Sequence, residues 1–187
     1  MSQPTLDPSN IVVGISDGPG LWIADADTAA PVGDVTVDTQ DWTSVGYISD
    51  DETPTVSQDI STEDITAWQT QGVLRRVLNS RVFSLAFSMI EVNPSSMALW
   101  FDADVPAENL GTFSIDLSST GSQHERAALL QVRDGDTMTR YWFPRAVLTE
   151  AGDVAHEKGT PTGYPVTLTA LDVDGSPGVF ERFKDVA

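Results

Sequence analysis

Between Phe83 and Ile90, large apolar and small residues alternate as far as Met89. Phe83, Leu85, Phe87 and Met89 fall on one side of an extended chain, and Ser84, Ala86 and Ser88 on the other. A period of two marks a half-buried β-strand. Three residues later, Asn93-Pro94 changes the period. Asn is a good helix N-cap, and Pro is favoured at the first helical position. Met97, Trp100 and Phe101 then follow at helical spacing. This predicts a helix from Pro94 to Ala103, ending before Pro106.

The remaining periodic segments read as β. Ile11 to Val13 and Leu21 to Ala24 are short strand candidates separated by Gly18-Pro19-Gly20, and another is expected near Val35 to Val37. Phe113, Ile115 and Leu117 alternate with Thr112, Ser114 and Asp116. Ala127 to Arg133 and Thr137 to Phe143 flank Asp134-Gly135, a strong hairpin signal. Arg145 to Glu150 continues the second of these past Pro144. Residues 151–165 read as a loop. Val166 to Val173 and Val179 to Phe183 are expected to form a final hairpin. Residues 49–72 are acidic and Thr-rich at their start and read as a long inter-strand loop, while residues 1–9 read as an N-terminal arm. The expected fold is mainly β: an antiparallel sandwich or barrel over residues 10–187, with one flanking helix.

The charge is extreme and uneven. The chain has 187 residues and a net charge of −18, from 28 acids against 10 Lys and Arg. The first 74 residues hold 13 of the acids and no base. Such a surface repels nucleic acid and anionic membrane, since binding phosphates needs Lys and Arg. Solubility or adaptation to salt explains it as well as a surface that lets DNA pass without sticking. There is no cysteine, so disulfides and thiolate metal sites are excluded. The start of the chain has no signal-peptide pattern, and no apolar run is long enough to span a bilayer. Cytoplasmic synthesis and a soluble product are expected.

Enzyme motifs fail on inspection. Gly14-Ile15-Ser16-Asp17-Gly18 matches a nucleophile elbow, but Pro19 and Gly20 block the helix that must follow, so a turn is expected. His124 and His156 lie in polar stretches without metal-ligand spacing. Asp172-Val173-Asp174-Gly175 lacks the later ligands of a calcium loop. Asp25/Asp27 and Asp102/Asp104 are paired acids that could bind a cation weakly. No catalytic residue, cofactor or metal is expected.

The features left over suit contacts between proteins. Trp68 stands in a polar segment, either as an anchor for that segment in the core or as an interface anchor. Arg75-Arg76 are the first positive charges after the acidic tract, either an ordinary strand-edge pair or partners for acids on a neighbouring subunit. Asp50, Asp51, Glu52, Asp59, Glu63 and Asp64 are the acids available to such contacts.

Taken in order, Gly46-Tyr47-Ile48-Ser49-Asp50-Asp51, Thr62-Glu63-Asp64-Ile65 with Ala67-Trp68, Val73-Leu74-Arg75-Arg76-Val77, and the strand ending Ile90-Glu91-Val92-Asn93 resemble major tail proteins. These are the tail tube subunits of bacteriophages with long, non-contractile tails. Pro31-Val32-Gly33 and Trp42 fit the same pattern. The resemblance covers about residues 10–105, and the C-terminal half agrees in its β pattern. It implies a structural virion protein whose hexameric rings stack into a tube. Strands of each copy join an inner β-barrel, and the genome passes through the lumen without specific binding. It also implies tape measure, tail tip and terminator proteins as partners, no membrane, and no enzymatic role. Some relatives carry a C-terminal Ig-like domain, and none is expected here. The competing readings are a monomeric or trimeric β-sandwich binding module and a tail terminator or connector.

Overall fold

The computed structural model describes residues 20–33, 37, 40–117 and 123–184. The expected arm, the Ile11 to Val13 strand and the Gly14 to Gly18 turn lie outside these residues, as does most of the strand expected near Val35 to Val37.

The described strands form one antiparallel, eight-stranded sheet that does not close. In chain order they are β1 (Leu21–Asp25), β2 (Thr43–Ser44), β3 (Thr55–Ala67), β4 (Thr70–Met89), β5 (Arg126–Asp134), β6 (Thr137–Ala151), β7 (Tyr164–Ala170) and β8 (Val179–Lys184). The order across the sheet is β2-β1-β5-β6-β7-β4-β3, with β8 also paired to β6. β6 is the hub. Its first half pairs with β5 and with β8, and its second half pairs with β7. Pro144 lies between the halves, where the β5–β6 register shifts. A Pro there removes a ladder donor and favours a bend. The sheet therefore folds over on itself as a sandwich that shares one long strand.

The core occupies the inside of this fold. Leu21, Ile23, Leu85, Phe87, Met89, Leu99, Leu130, Phe143, Val166 and Leu168 are buried together. The alternation read from Phe83 to Met89 is realised, with Leu85, Phe87 and Met89 buried and Phe83 packed against the cluster. A smaller cluster of Trp22, Val37, Trp42, Ala127 and Leu129 covers the other face of β1 and β5.

Helix α1 runs Pro94–Trp100, three residues shorter than the expected end at Ala103. Its start follows the sequence signal. Asn93 caps the Ser96 N–H at 2.8 Å, and the Ser96 hydroxyl accepts from the Asn93 N–H at 3.0 Å. It ends early because Asp102 takes a positive φ of 50° and cannot continue the turn. The Asp102 carboxylate instead holds the Arg126 guanidinium at 2.8 Å and the His124 N–H at 3.3 Å.

Two further expectations are corrected. No strand forms at Phe113 to Leu117. Residues 109–112 close a tight two-residue turn on themselves, with mutual Asn109 and Thr112 backbone bonds, and no neighbouring strand among the described residues continues it. Nor do the last two strands form a hairpin. Asp174-Gly175 makes a tight turn closed by Val173 and Ser176, but the chain then turns away and β8 pairs with β6. Gly178 permits this, because a Cβ there would overlap the Trp142 carbonyl.

Candidate assembly interface

Residues 49–72 are not a loop. Most of them build β3 and the start of β4, which run as a two-stranded ribbon out of the sheet. β3 pairs with β4 from Thr55↔Ala86 to Ala67↔Thr70, with register shifts after Ser61, Ile65 and Thr66. β7 covers β4 only at Ser84–Met89. Beyond that point, both outer edges of the ribbon are unpaired among the described residues. Thirteen residues of β3 at about 3.3 Å each give a ribbon about 40 Å long.

The ribbon has two faces with different chemistry. Val56 packs against the core, so the even-numbered residues of β3 continue the core-facing side. That side carries Gln58, Ile60, Thr62 and Asp64 opposite Phe83, Arg81, Leu78 and Arg76. The opposite side carries Ser57, Asp59, Ser61 and Glu63 opposite Ser84, Val82, Ser80 and Val77. Helix α1 packs over the core cluster through Leu99 and Trp100, so the Asp59–Glu63 side faces away from the helix. On that side Ser84, Thr169 and Thr149 form a hydroxyl row, with Thr149 and Thr169 at 2.9 Å.

The candidate residues fall into five places. Asp50, Asp51 and Glu52 are exposed at the base of the ribbon, just before β3. Asp59 and Glu63 lie along its outer face. Asp64 and Arg76 pair with each other across the ribbon, through two guanidinium bonds of 2.6 and 3.0 Å. Those bonds hold the Asp64 carboxyl below its usual pKa and raise that of Arg76. For Arg76 the strand-pair reading therefore holds within the chain. Arg75 is exposed, opposite Ile65, with no ion pair among the described residues.

Trp68 occupies the turn at the ribbon tip and is 99% exposed. The reading of Trp68 as a core anchor is thus corrected, because its segment projects from the sheet rather than packing on it. Ile60, Ile65, Val73, Leu74, Val77 and Leu78 are also exposed along the ribbon. A run of exposed apolar residues between two free edges is a liability for an isolated chain.

At the base of the ribbon the resemblance-bearing motifs meet. Tyr47 donates its N–H to the Glu91 carboxylate at 3.0 Å, and Ile48 bridges to Met89. Beside them lies an open groove of about 920 Å³, walled by Ile48, Pro54, Leu130 and Val132, with Asp50 and Glu91 on its lining.

Three of the other paired acids, Asp27, Asp102 and Asp104, have partners within the chain. Asp27 binds Arg145 through both carboxylate oxygens, which lowers the Asp27 pKa. Asp102 binds Arg126, and His124 lies within 3.5 Å of Asp102 and 3.4 Å of Asp104. No group of three or more metal-ligating side chains occurs among the described residues. The residue that sequence reasoning missed is Arg140. It is fully buried, donates to the Pro31 carbonyl at 2.6 Å, meets Glu181 at 3.3 Å and lies over the Phe183 ring.

No curated protein matches this sequence. Several solved structures are similar, among them two at low identity. A chain of the virion of a native gene transfer agent (GTA) particle shares 15% identity, with 89% of this chain and 99% of that one covered, at a TM-score of 0.46. A chain in the tail of an empty GTA particle shares 14% identity, with 85% and 96% covered, at a TM-score of 0.43. The phage tail tube protein family matches residues 4–181. It is a family of structural proteins rather than enzymes. With nearly its whole length matched, the chain belongs to the phage tail tube protein family, as a component of the virion tail.

Proposed function

We propose that this chain assembles into hexameric rings that stack into the tail tube, and that the phage genome passes through the lumen. The observation that carries this reading is the ribbon with two unpaired edges. A free β3 edge on one copy and a free β4 edge on the next can pair head to tail. Repeated around an axis, that pairing closes a ring and leaves no open edge. The side of the ribbon that faces away from helix α1 is the lumen side. It presents Asp59 and Glu63 among serines, so phosphates are repelled and nothing on it grips a base. Asp50, Asp51, Glu52, Asp64, Trp68, Arg75 and Arg76 lie at the base, edges and tip, where neighbouring copies meet. The partners at the ends and inside of the tube are the tape measure, tail tip and terminator proteins. Residues 10–187 act as one domain, with residues 1–9 as an arm toward a neighbour.

Negative-stain microscopy of the concentrated protein tests this reading. Rings of six and hollow tubes are the expected result. A species that light scattering reads as a monomer or trimer at every concentration overturns it in favour of a binding module. Single rings that never stack favour a terminator or connector.

A further inference from the structure

We propose that the segment after helix α1, led by Leu110, seats on the core-facing side of the ribbon of the adjacent copy in the ring, over a strip of Ile60, Leu78 and Arg81. The inference rests on the tube reading and names a side-to-side contact within it.

The strip starts where β4 leaves the sheet. The register puts Phe83, Ile60, Arg81 and Leu78 on the core-facing side of the ribbon. Pairing steps from Ser61↔Ser80 to Thr62↔Leu78 and passes over Asn79. That extra residue keeps Leu78 on the side of Ile60, where an unbroken register would turn it to the opposite side. Ile60 and Leu78 are 48% and 52% exposed. Arg81 lies opposite Ile60, exposed and with no ion pair among the described residues. An uncovered apolar strip with a cation in it marks a surface for another protein.

The connection from Phe101 to Leu117, between α1 and β5, has the matching chemistry. Val105 and Leu117 are exposed along it, and Leu110 is 100% exposed. Leu110 stands in the tight turn closed by Asn109 and Thr112, with a φ of +52°. That conformation is unfavourable for a bulky side chain, and no packing within the chain offsets it. A strained, fully exposed leucine is explained by a partner that covers it. The charge has the opposite sign to that of the strip. No Lys or Arg occurs from Val82 to Glu125, and Asp104 and Glu108 are exposed on the connection. Opposite charge beside the apolar contact sets its register.

Geometry selects the adjacent copy. The strip and helix α1 both lie away from Asp59 and Glu63. In a ring whose Asp59–Glu63 sides face the lumen, the strip and the connection that leaves the helix stand outside the barrel wall, at the joint between neighbours. Within one copy they do not meet, since Leu110, Ile60 and Leu78 are all exposed. The contact is heterologous, and it saturates when the ring closes.

Paired cysteines test this, because the chain has none of its own. The double variant Asn109→Cys/Thr62→Cys keeps Leu110, Leu78 and Arg81, and is oxidised after assembly. We expect a ladder of covalent multimers that ends at the copy number of one ring. A ladder that runs past that number places the contact between rings and overturns the inference. A disulfide closed within one copy overturns it as well. Tubes with no cross-link also overturn it, and leave the tube reading standing. Charge exchange gives an independent reading. Arg81→Glu should raise the concentration needed for tubes at least about tenfold, and adding Glu108→Arg should restore most of the loss. Arg81→Glu/Glu157→Arg has the same net charge, with the new cation in another exposed segment, and should stay impaired. Unchanged assembly of Arg81→Glu, or equal recovery with either added arginine, overturns the inference. Parent protein that forms no tubes at all overturns the tube reading, and the inference with it.

Discussion

The Tyr47 N–H donates to the Glu91 carboxylate at 3.0 Å across 44 residues of sequence. Around this bond the chain is stitched closely. The Ile90 N–H donates to the Tyr47 carbonyl at 2.9 Å, the Ser49 N–H to the Ser88 carbonyl at 2.8 Å, and the Asn93 amide to the Val45 carbonyl at 3.4 Å. The Ser96 hydroxyl donates to the Glu91 carbonyl at 2.7 Å. One small region thus fixes the base of the ribbon, the start of helix α1 and the wall of the groove.

Gly46 is required at this point. Its φ is +88°, and a Cβ would overlap the Glu91 carboxylate. Gly46→Ala is expected to cost about 1–2 kcal/mol from backbone strain alone. Chemical denaturation of the unassembled protein reads this, and an unchanged midpoint rules out the tight contact.

Arg140 clasps the segment around Pro31 to β6 and β8. Removing one partner of a buried ion pair leaves the others without compensation. Arg140→Leu should cost about 3 kcal/mol, the low end for such a change because Glu181 keeps some access to water. The loss should appear as a lowered denaturation midpoint with little change in far-ultraviolet dichroism. Glu181→Gln should also lower the midpoint, because it leaves the buried Arg140 cation without its counter-charge.

The Asp64–Arg76 and Asp27–Arg145 pairs set a pH dependence of known sign. In each, the guanidinium hydrogen bonds hold the folded carboxyl below its ordinary value. Such a group contributes stability above the unfolded aspartate pKa of about 3.9, and the contribution is lost as pH falls through the lowered folded value. Both pairs are in water, so the stability effect is small. Carboxyl-detected NMR titration gives the sharper test. Asp64 and Asp27 should titrate below the ordinary aspartate value, and Arg76→Ala should return Asp64 toward it while leaving Asp27 in place.

Charge on the proposed lumen side governs how a tube treats DNA. Asp59→Lys/Glu63→Lys reverses two charges per copy there, away from the core and from helix α1. Tubes should still form, and they should retain double-stranded DNA at low salt and release it steeply as salt rises. The parent tubes should not retain it. Retained DNA that a nuclease digests as fast as free DNA places these carboxylates on the outer wall, and variant tubes as inert as the parent overturn the role given to their charge.

The sequence by itself determined what depends on neighbours along the chain. The alternation from Phe83 to Met89 announced a strand with one buried side, and that side is buried. Asn93-Pro94 announced the start of a helix, because capping needs only Asn93 and the next three residues. The strand Leu21 to Ala24 and the continuation of β6 past Pro144 were legible for the same reason. Asp134-Gly135 marked a real turn, centred one residue later, between Asp134 and Thr137. What only the tertiary structure decided depends on partners distant in sequence. The ribbon from Thr55 to Phe83 is loop-like in sequence, because neither of its sides is buried in one chain and so its residues carry no single apolar period. The partner of β8 is β6 rather than β7, since pairing is chosen by the close approach at Gly178 and not by closeness in the chain. Arg140 looks like any strand arginine until Pro31, Glu181 and Phe183 surround it. Trp68 looks as fit for a core as for an interface, and its place at the tip follows from pairing that runs the length of the ribbon. Local periodicity records which side of an element is buried within its own chain. It is silent where neither side is buried within that chain.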